Sequence, residues 1–235
     1  MSDLSRMVEL AASVIDGQSG GLEVDMRETH DLRPEALDRD GRIRIMSADY
    51  WSATTVAERT LFGKRTGTYL FPTTELVTYL QTVIGDRSAI EIGSGNGVLA
   101  KSLGIPATDN RMQEKEPYRS SYLLSGNPPV NYGDNVIDMH ASRAVRHYKP
   151  DVVLGCWVTH KYDKRNHERG GNEIGVDEID ILLHCREFIF VGITSVHQYS
   201  RMWEREHEIV YPDWLYSRAH TDGRQFIARV KGFKK

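Results

Sequence analysis

Two cysteines in 235 residues, Cys156 and Cys185, are too few for a disulfide framework. A fold that needs cross-links is excluded, and a reducing compartment is the expectation. No apolar run approaches the ~20 residues a bilayer span requires. The opening residues Met1-Ser2-Asp3-Leu4-Ser5-Arg6 also lack the apolar stretch of a secretory leader, so the chain reads as cytoplasmic, with no membrane partner. Nor does either charge dominate: 30 Lys+Arg stand against 33 Asp+Glu, a net charge of -3. Without a global basic field, only a local basic loop could draw in nucleic acid. Internal repeats and low-complexity tracts, the signs of a solenoid or a linker array, are missing as well.

What is present suits one α/β domain with an extension, since 40% hydrophobic and 27% charged residues are the proportions of an ordinary packed chain. Leu4, Met7, Val8, Ala11, Val14 and Ile15 recur at helical spacing before the break Gly17-Gln18-Ser19-Gly20-Gly21. Leu22 to Arg44 reads as irregular, with room for a short helix after Pro34. Ser47 is placed to cap a helix from Ala48 to about Leu61, and Pro72-Thr73-Thr74-Glu75 to open another that Gly85 ends. The expected division is a helical or irregular extension over 1–60, acting as a cap or lid, and a sheet domain over 61–235.

The sheet domain begins at Ser88-Ala89-Ile90-Glu91-Ile92-Gly93-Ser94-Gly95-Asn96-Gly97, an apolar strand running into a glycine-rich turn, with a helix over Val98 to Leu103. Glycines permit positive φ and close backbone approach, and a strand-to-helix junction presents free N–H groups, so such a turn cradles a nucleoside-type cofactor. Glu91 is the unusual residue, because a carboxylate inside an apolar strand is costly unless it organises something. The acid followed by G-x-G-x-G resembles the first motif of class I S-adenosylmethionine-dependent methyltransferases more than the G-x-G-x-x-G of dinucleotide enzymes. That resemblance implies a Rossmann-like three-layer α/β sandwich, mostly parallel and closed by an antiparallel hairpin, with S-adenosylmethionine as cofactor. It covers roughly Leu70 to Lys235.

On this resemblance Glu91, Gly93, Ser94, Gly95, Asn96 and Gly97 hold the cofactor's amino-acid end. Asp109, ending a strand from Ile105, accepts the ribose hydroxyls, a task that suits the two oxygens of a carboxylate. The helix before it is short by roughly a turn, which leaves open that Asp109 merely caps the turn at Asn110. Asp138 and Met139, ending a third strand from Asn135, are the adenine contacts that the family implies. Ala141 to Tyr148 reads as a helix, Asp151 to Val158 as a fourth strand, Ile179 to Leu183 as a helix and Glu187 to Ile193 as a fifth strand. A helix over Arg201 to Glu208 follows, then strands over Ile209 to Arg218 and Gln225 to Val230 turned by Thr221-Asp222-Gly223.

After the fourth strand, amino-methylating DNA enzymes carry Asn/Asp-Pro-Pro-Tyr, whereas this chain has Cys156-Trp157-Val158-Thr159. The only Asn-Pro-Pro, at Asn127, precedes the third strand and reads as a loop, and Cys156 reads as a small buried hydrophobe. The segment Thr159 to Gly171 concentrates titratable groups at the carboxyl edge of the sheet. There His160 is the candidate base, with Tyr162 or Asp163 as its orienter, and Thr159, Lys164 and Arg165 are the candidate substrate contacts. Its cations suggest an anionic acceptor, either a small molecule or a polymer; a solvated loop is the plainer alternative. His160, Asp163 and His167 match no metal-ligand spacing, and no metal is expected. The sequence thus predicts methyl transfer, with a non-catalytic adenosylmethionine-binding module or a nicotinamide-dependent oxidoreductase as the alternatives; the acceptor and the oligomeric state are not legible in it.

Overall fold

A computed structural model of the chain describes residues 29–219 and 223–234. The helix expected over Leu4 to Ile15, the glycine break after it and the Thr221-Asp222 part of the expected turn lie outside the described residues.

Short polar caps set the helices and apolar runs set the strands. A two-residue strand, β1 (Leu70–Phe71), leads into the helix Thr74–Ile84, where the Thr73 hydroxyl accepts the Leu76 N–H at 3.0 Å. Leu76, Leu80 and Ile84 recur every four residues on its buried face, and Gly85, at φ 57°, stops it. The strands β2 (Ala89–Ile92), β3 (Ala107–Asp109), β4 (Val136–Asp138), β5 (Val152–Cys156) and β6 (Glu187–Ile193) follow, separated by the helices Val98–Leu103, Tyr118–Leu124, Ala141–Tyr148 and Glu178–Leu183. Then come β7 (His207–Val210), β8 (Tyr216–Ser217) and β9 (Gln225–Lys231).

Seven strands form one sheet in the order β4-β3-β2-β5-β6-β9-β7. The first five are parallel, and β9 inserts antiparallel between β6 and β7, with Glu187 opposite Lys231 and Ile193 opposite Gln225. This is the expected Rossmann-like sandwich. One face buries Ala144, Val145, Ile181 and Leu182 against Ile90, Val153, Phe188 and Phe190. The other packs Leu76, Leu80 and Leu99 against Leu154, Ile189, Val191 and Ile227. The chain runs outward from β2 through β3 to β4, then returns to the other side of β2 for β5 and β6. That reversal opens a crevice at the carboxyl ends of β2 and β5, where open α/β sheets place their ligands.

Three expected elements are corrected. The helix expected from Ala48 to about Leu61 is two helices, Ala48–Ser52 and Val56–Thr66. Ser47 caps the first, and Thr55 with Glu58 forms a reciprocal capping box that starts the second. The boundary expected at residue 60 falls inside that second helix, whose Phe62 packs with Trp51 and Phe71 in one aromatic cluster; Trp51 stacks on Phe71 at 4.6 Å. Arg201 to Glu208 is not a helix. A 3-10 turn over Arg201–Glu204 is held by the Glu178 carboxylate, which accepts from the Arg201 and Met202 N–H groups, and the chain then extends as β7 along the edge of β9. Ile209 to Arg218 is likewise not one strand, because Pro212 has no N–H for a ladder and a turn follows it. Tyr216–Ser217 pairs instead with β1, in a separate two-stranded sheet. No helix among the described residues is long and apolar enough to cross a membrane.

Candidate cofactor and acceptor cavity

A cavity of about 520 Å³ opens at the switch point of the sheet. Its centre is the turn after β2. Gly93, Gly95 and Gly97 all have positive φ, at 57°, 53° and 71°. At Gly93 a Cβ would come within 2.4 Å of Val158 Cγ1, and at Gly97 within 2.5 Å of Val136 Cγ2, so packing demands glycine at both. Gly95 is different: a Cβ there would meet only Val130, at an ordinary 3.5 Å, on a residue that lines the cavity. The turn is closed internally by the Gly97 N–H on the Ser94 carbonyl and by the Ser94 N–H on the Thr108 carbonyl.

Two of the N–H groups that open the following helix, where a phosphate would sit, are already taken. Asn96 Oδ1 accepts the Val98 N–H at 3.0 Å, and Glu91 Oε2 accepts the Ala100 N–H at 3.1 Å. Glu91 is only 3% exposed and also accepts the Cys156 S–H. Burial pushes its carboxyl up to about 8, opposed by the Ala100 N–H and reinforced by the nearby Asp109 charge. Burial, the charge of Glu91 and its hydrogen bond together push the Cys156 thiol well above its ordinary range, which makes it a poor nucleophile.

Asp109 stands at the tip of β3, where its carboxylate accepts the Gly95 N–H at 3.0 Å and the Arg111 N–H at 2.8 Å. It therefore caps its own turn, one of the two roles weighed for it, and it also reaches the glycine loop inside the cavity. Burial raises its pKa, with the two N–H groups and the Tyr132 hydroxyl opposing. The short helix Val98–Leu103 has not moved it out of reach. Met139 lines the cavity beside it, its N–H on the Asp109 carbonyl at 2.9 Å. Asp138 does not line the cavity. Its side chain is 55% exposed on the outer surface of the edge strand and pairs with Lys115 at 3.1 Å.

The opposite flank is built from the ends of β5 and β6. Thr159 and His160 line it, and His160, 8% exposed, donates from Nε2 to the Arg169 carbonyl at 3.0 Å. The segment that follows folds back on itself: Val176 N–H meets the Thr159 carbonyl, and Asn172 N–H meets the His160 carbonyl. Gly171 and Gly175 allow this, since a Cβ at either would come within 2.8 Å or 2.3 Å of the His160 carbonyl oxygen. The tip of the loop points elsewhere. Tyr162 hydrogen-bonds His167, and Asp163 accepts the Arg165 N–H, so neither is shown touching His160. Lys164 and Arg165 are exposed and outside the cavity lining. Among the described residues no group of three or more His, Cys, Asp or Glu side chains is arranged to hold a metal ion.

Several lining residues escaped the sequence reading: Tyr69, Tyr122, Trp157, His197 and Tyr199. Trp157 takes a left-handed backbone at φ 56° and hangs its N–H on the Val191 carbonyl. Burial holds the His197 imidazole down at about 4, so it is neutral; its Nδ1 sits 3.0 Å from the Ile193 carbonyl. Only their position just after β5 and β6 signals Trp157, His197 and Tyr199, because their residue types are equally those of a core. In charge, the lining is unbalanced. Asp109 and Glu168, beside the protonated Glu91, face a single Arg169, which is itself paired with Glu204 at 2.9 Å, and no lysine is present.

No family model matches the chain, and no curated protein matches it. Solved structures overlay it in part. A Thermoplasma acidophilum protein is 19% identical with a TM-score of 0.35, over 67% of this chain and 85% of its own. Precorrin-6y C5,15-methyltransferase from Geobacter metallireducens is 12% identical with a TM-score of 0.36, over 68% and 89%. TehB from Haemophilus influenzae is 12% identical with a TM-score of 0.33, over 67% and 61%.

Proposed function

We propose that the chain transfers the methyl group of S-adenosylmethionine to an acceptor held on the β5 and β6 flank of this cavity. The observation that carries the reading is the pairing of Glu91 and Asp109 around an open glycine turn, in a cavity whose lining has no lysine. Asp109 offers a desolvated carboxylate, and a cation beside Glu91 would draw that protonated carboxyl back toward its ionised form, so the pair favours a cationic ligand, and adenosylmethionine bears both an ammonium and a sulfonium. A nicotinamide dinucleotide would bring a pyrophosphate to the same turn. There it would find the Val98 and Ala100 N–H groups occupied and an acid beside it, which disfavours the oxidoreductase reading.

In this reading the Gly93 to Gly97 turn and Glu91 hold the amino-acid end, Asp109 accepts the ribose hydroxyls through the lone pairs its own N–H partners leave, and Met139 packs on the adenine. When bound, the cofactor supplies a methyl group that is already electrophilic, so the chain must align the acceptor and remove its proton. His160 suits the second task. With Nε2 donating to the Arg169 carbonyl, the neutral ring keeps its lone pair on Nδ1, free to take a proton. The bond to the Arg169 carbonyl sets that tautomer, and Gly171 packs closely on the ring.

Calorimetry with adenosylmethionine, adenosylhomocysteine and NAD tests the cofactor: the first two should bind and NAD should not. Labelled-methyl transfer into fractionated cell extract tests the chemistry. Binding with no label in any fraction would overturn the enzyme reading in favour of a binding module, and NAD binding alone would overturn the cofactor.

A further inference from the structure

We infer that the methyl acceptor is a small, uncharged, flat aromatic ring, recognised by Tyr69 and Trp157. The inference depends on the cofactor reading above, which assigns the β2 to β4 flank to the nucleoside and leaves the β5 and β6 flank for the acceptor. On that flank the surfaces offered are rings. Tyr69 and Trp157 stand 6.2 Å apart, centroid to centroid, with their planes tilted 43°. Tyr199 lines the same cavity.

These rings are fixed before any ligand arrives. The Arg218 guanidinium lies 3.7 Å from the Tyr69 centroid and is itself buried. Gly63 makes room for it, since a Cβ there would fall 2.3 Å from Arg218 Cβ. Trp157 is held by its left-handed backbone and the Val191 carbonyl, with the edge of its ring against His197 at 5.5 Å and 88°. Preset ring faces recognise another ring with little entropy to lose. Holding a bulky residue at positive φ is strain of the kind that persists where the surrounding structure imposes it.

Charge decides against an anion. The cations on which an anionic acceptor would depend, Lys164 and Arg165, lie outside the lining, as does Arg218, which is buried against Tyr69, and Arg169 is paired with Glu204. His197 is neutral and the Asp109 and Glu168 carboxylates lining the cavity would repel a negative charge, so a carboxylate or phosphate would enter without a partner in the lining. A base within a polynucleotide would offer the same ring, but a chain of net charge -3 has no overall attraction for its phosphates.

The test uses the full chain. Calorimetry with adenosylhomocysteine comes first; absence of binding would overturn the cofactor reading and this inference with it. With adenosylhomocysteine bound, saturation-transfer NMR and titration then compare 2-naphthol, 2-naphthoate, 2-naphthyl phosphate, decahydro-2-naphthol and a single-stranded oligonucleotide. The expected result is that 2-naphthol binds at least about tenfold tighter than the other four. Tyr69→Leu and Trp157→Phe should each weaken it by about threefold to tenfold while adenosylhomocysteine still binds. Thermal melting checks both folds, and Tyr69→Leu is decisive alone if Trp157→Phe does not fold. Preference for naphthoate, the phosphate, the saturated alcohol or the oligonucleotide, no binding by any probe, or a silent Tyr69→Leu would each overturn the aromatic assignment and leave the cofactor reading standing.

Discussion

Replacing Glu91 by Gln should make the protein more stable relative to wild type as the pH rises, and the size of the effect follows from one buried carboxyl. Gln is isosteric, and its carbonyl can keep the Ala100 N–H, so the substitution removes mainly the ionisation. In the folded chain that ionisation is pushed from an ordinary 4.5 up to about 8, chiefly by burial. A pKa raised on folding contributes stability that is fully present below 4.5 and is lost as pH climbs through 8. Within that window the unfolded chain has released the proton and the folded chain has not, so stability falls by about 1.4 kcal/mol per pH unit. The whole window amounts to about 5 kcal/mol, a large fraction of the ~5–15 kcal/mol that holds a domain folded. His197 works in the opposite sense. Its pKa is depressed to about 4, so its contribution is present above 6.5 and is lost as pH falls through 4. Because both proteins carry His197, its contribution cancels in the difference. The assay is urea unfolding of both proteins, without cofactor, at intervals from about pH 5 to about pH 9. The gap should open steadily in favour of the Glu91→Gln variant up to about pH 8 and then level off. Two pH profiles that stay parallel within about 0.5 kcal/mol would refute the claim that Glu91 is held protonated.

Gly95→Val should leave a folded protein, destabilised by about 1–3 kcal/mol from a branched residue at φ 53°, and should abolish adenosylhomocysteine binding by calorimetry. Asp109→Ala should weaken cofactor binding by about 1.5–3 kcal/mol, since charged hydrogen bonds to the ribose and the Gly95 N–H are lost together; an unchanged Kd would show that another group holds the ribose. Once an acceptor is in hand, His160→Ala should lower kcat with cofactor affinity intact, whereas Lys164→Ala and Arg165→Ala, outside the lining, should change neither kcat nor KM.

Much of the fold was legible because its determinants are local. The helix Thr74–Ile84 announces itself by a capping Thr73, a four-residue apolar period and a terminal Gly85. The helix Ala141–Tyr148 and the buried strand Glu187–Ile193 have the bounds the sequence implies. The errors arise where distant partners decide. Nothing within Arg201 to Glu208 reveals that Glu178 anchors its start or that β9 offers an open edge to its end. Tyr216 and Ser217 leave the main sheet because β1, from much earlier in the chain, is available to pair. The helix Tyr118–Leu124 was hidden inside a connection read as merely polar.

The same contrast between local and distant explains why one half of the cavity was readable and the other was not. The half proposed for the cofactor is written in backbone: the Gly95 N–H on Asp109, the Ser94 N–H on the Thr108 carbonyl and the Met139 N–H on the Asp109 carbonyl tie the ends of β2, β3 and β4 into one unit. Such ties demand glycine or a short acid at fixed places, so they leave a pattern in the sequence. The half proposed for the acceptor is made of side chains delivered by separate segments, with Tyr69 from before β1, Trp157 after β5 and Tyr199 after β6. Each is indistinguishable from a core aromatic until the sheet order sets β5 beside β6 and turns their ends to one crevice. The charged run from Lys161 to Arg169 misled for the complementary reason. Its residues are contiguous, but the glycines at 171 and 175 fold the base of the loop tightly around His160, so the chain reverses and carries the charged tip outward. Contiguity in sequence thus placed Lys164 and Arg165 beside His160, and the reversal of the backbone separated them, leaving Glu168 and Arg169 as the charged residues of the run that still line the cavity.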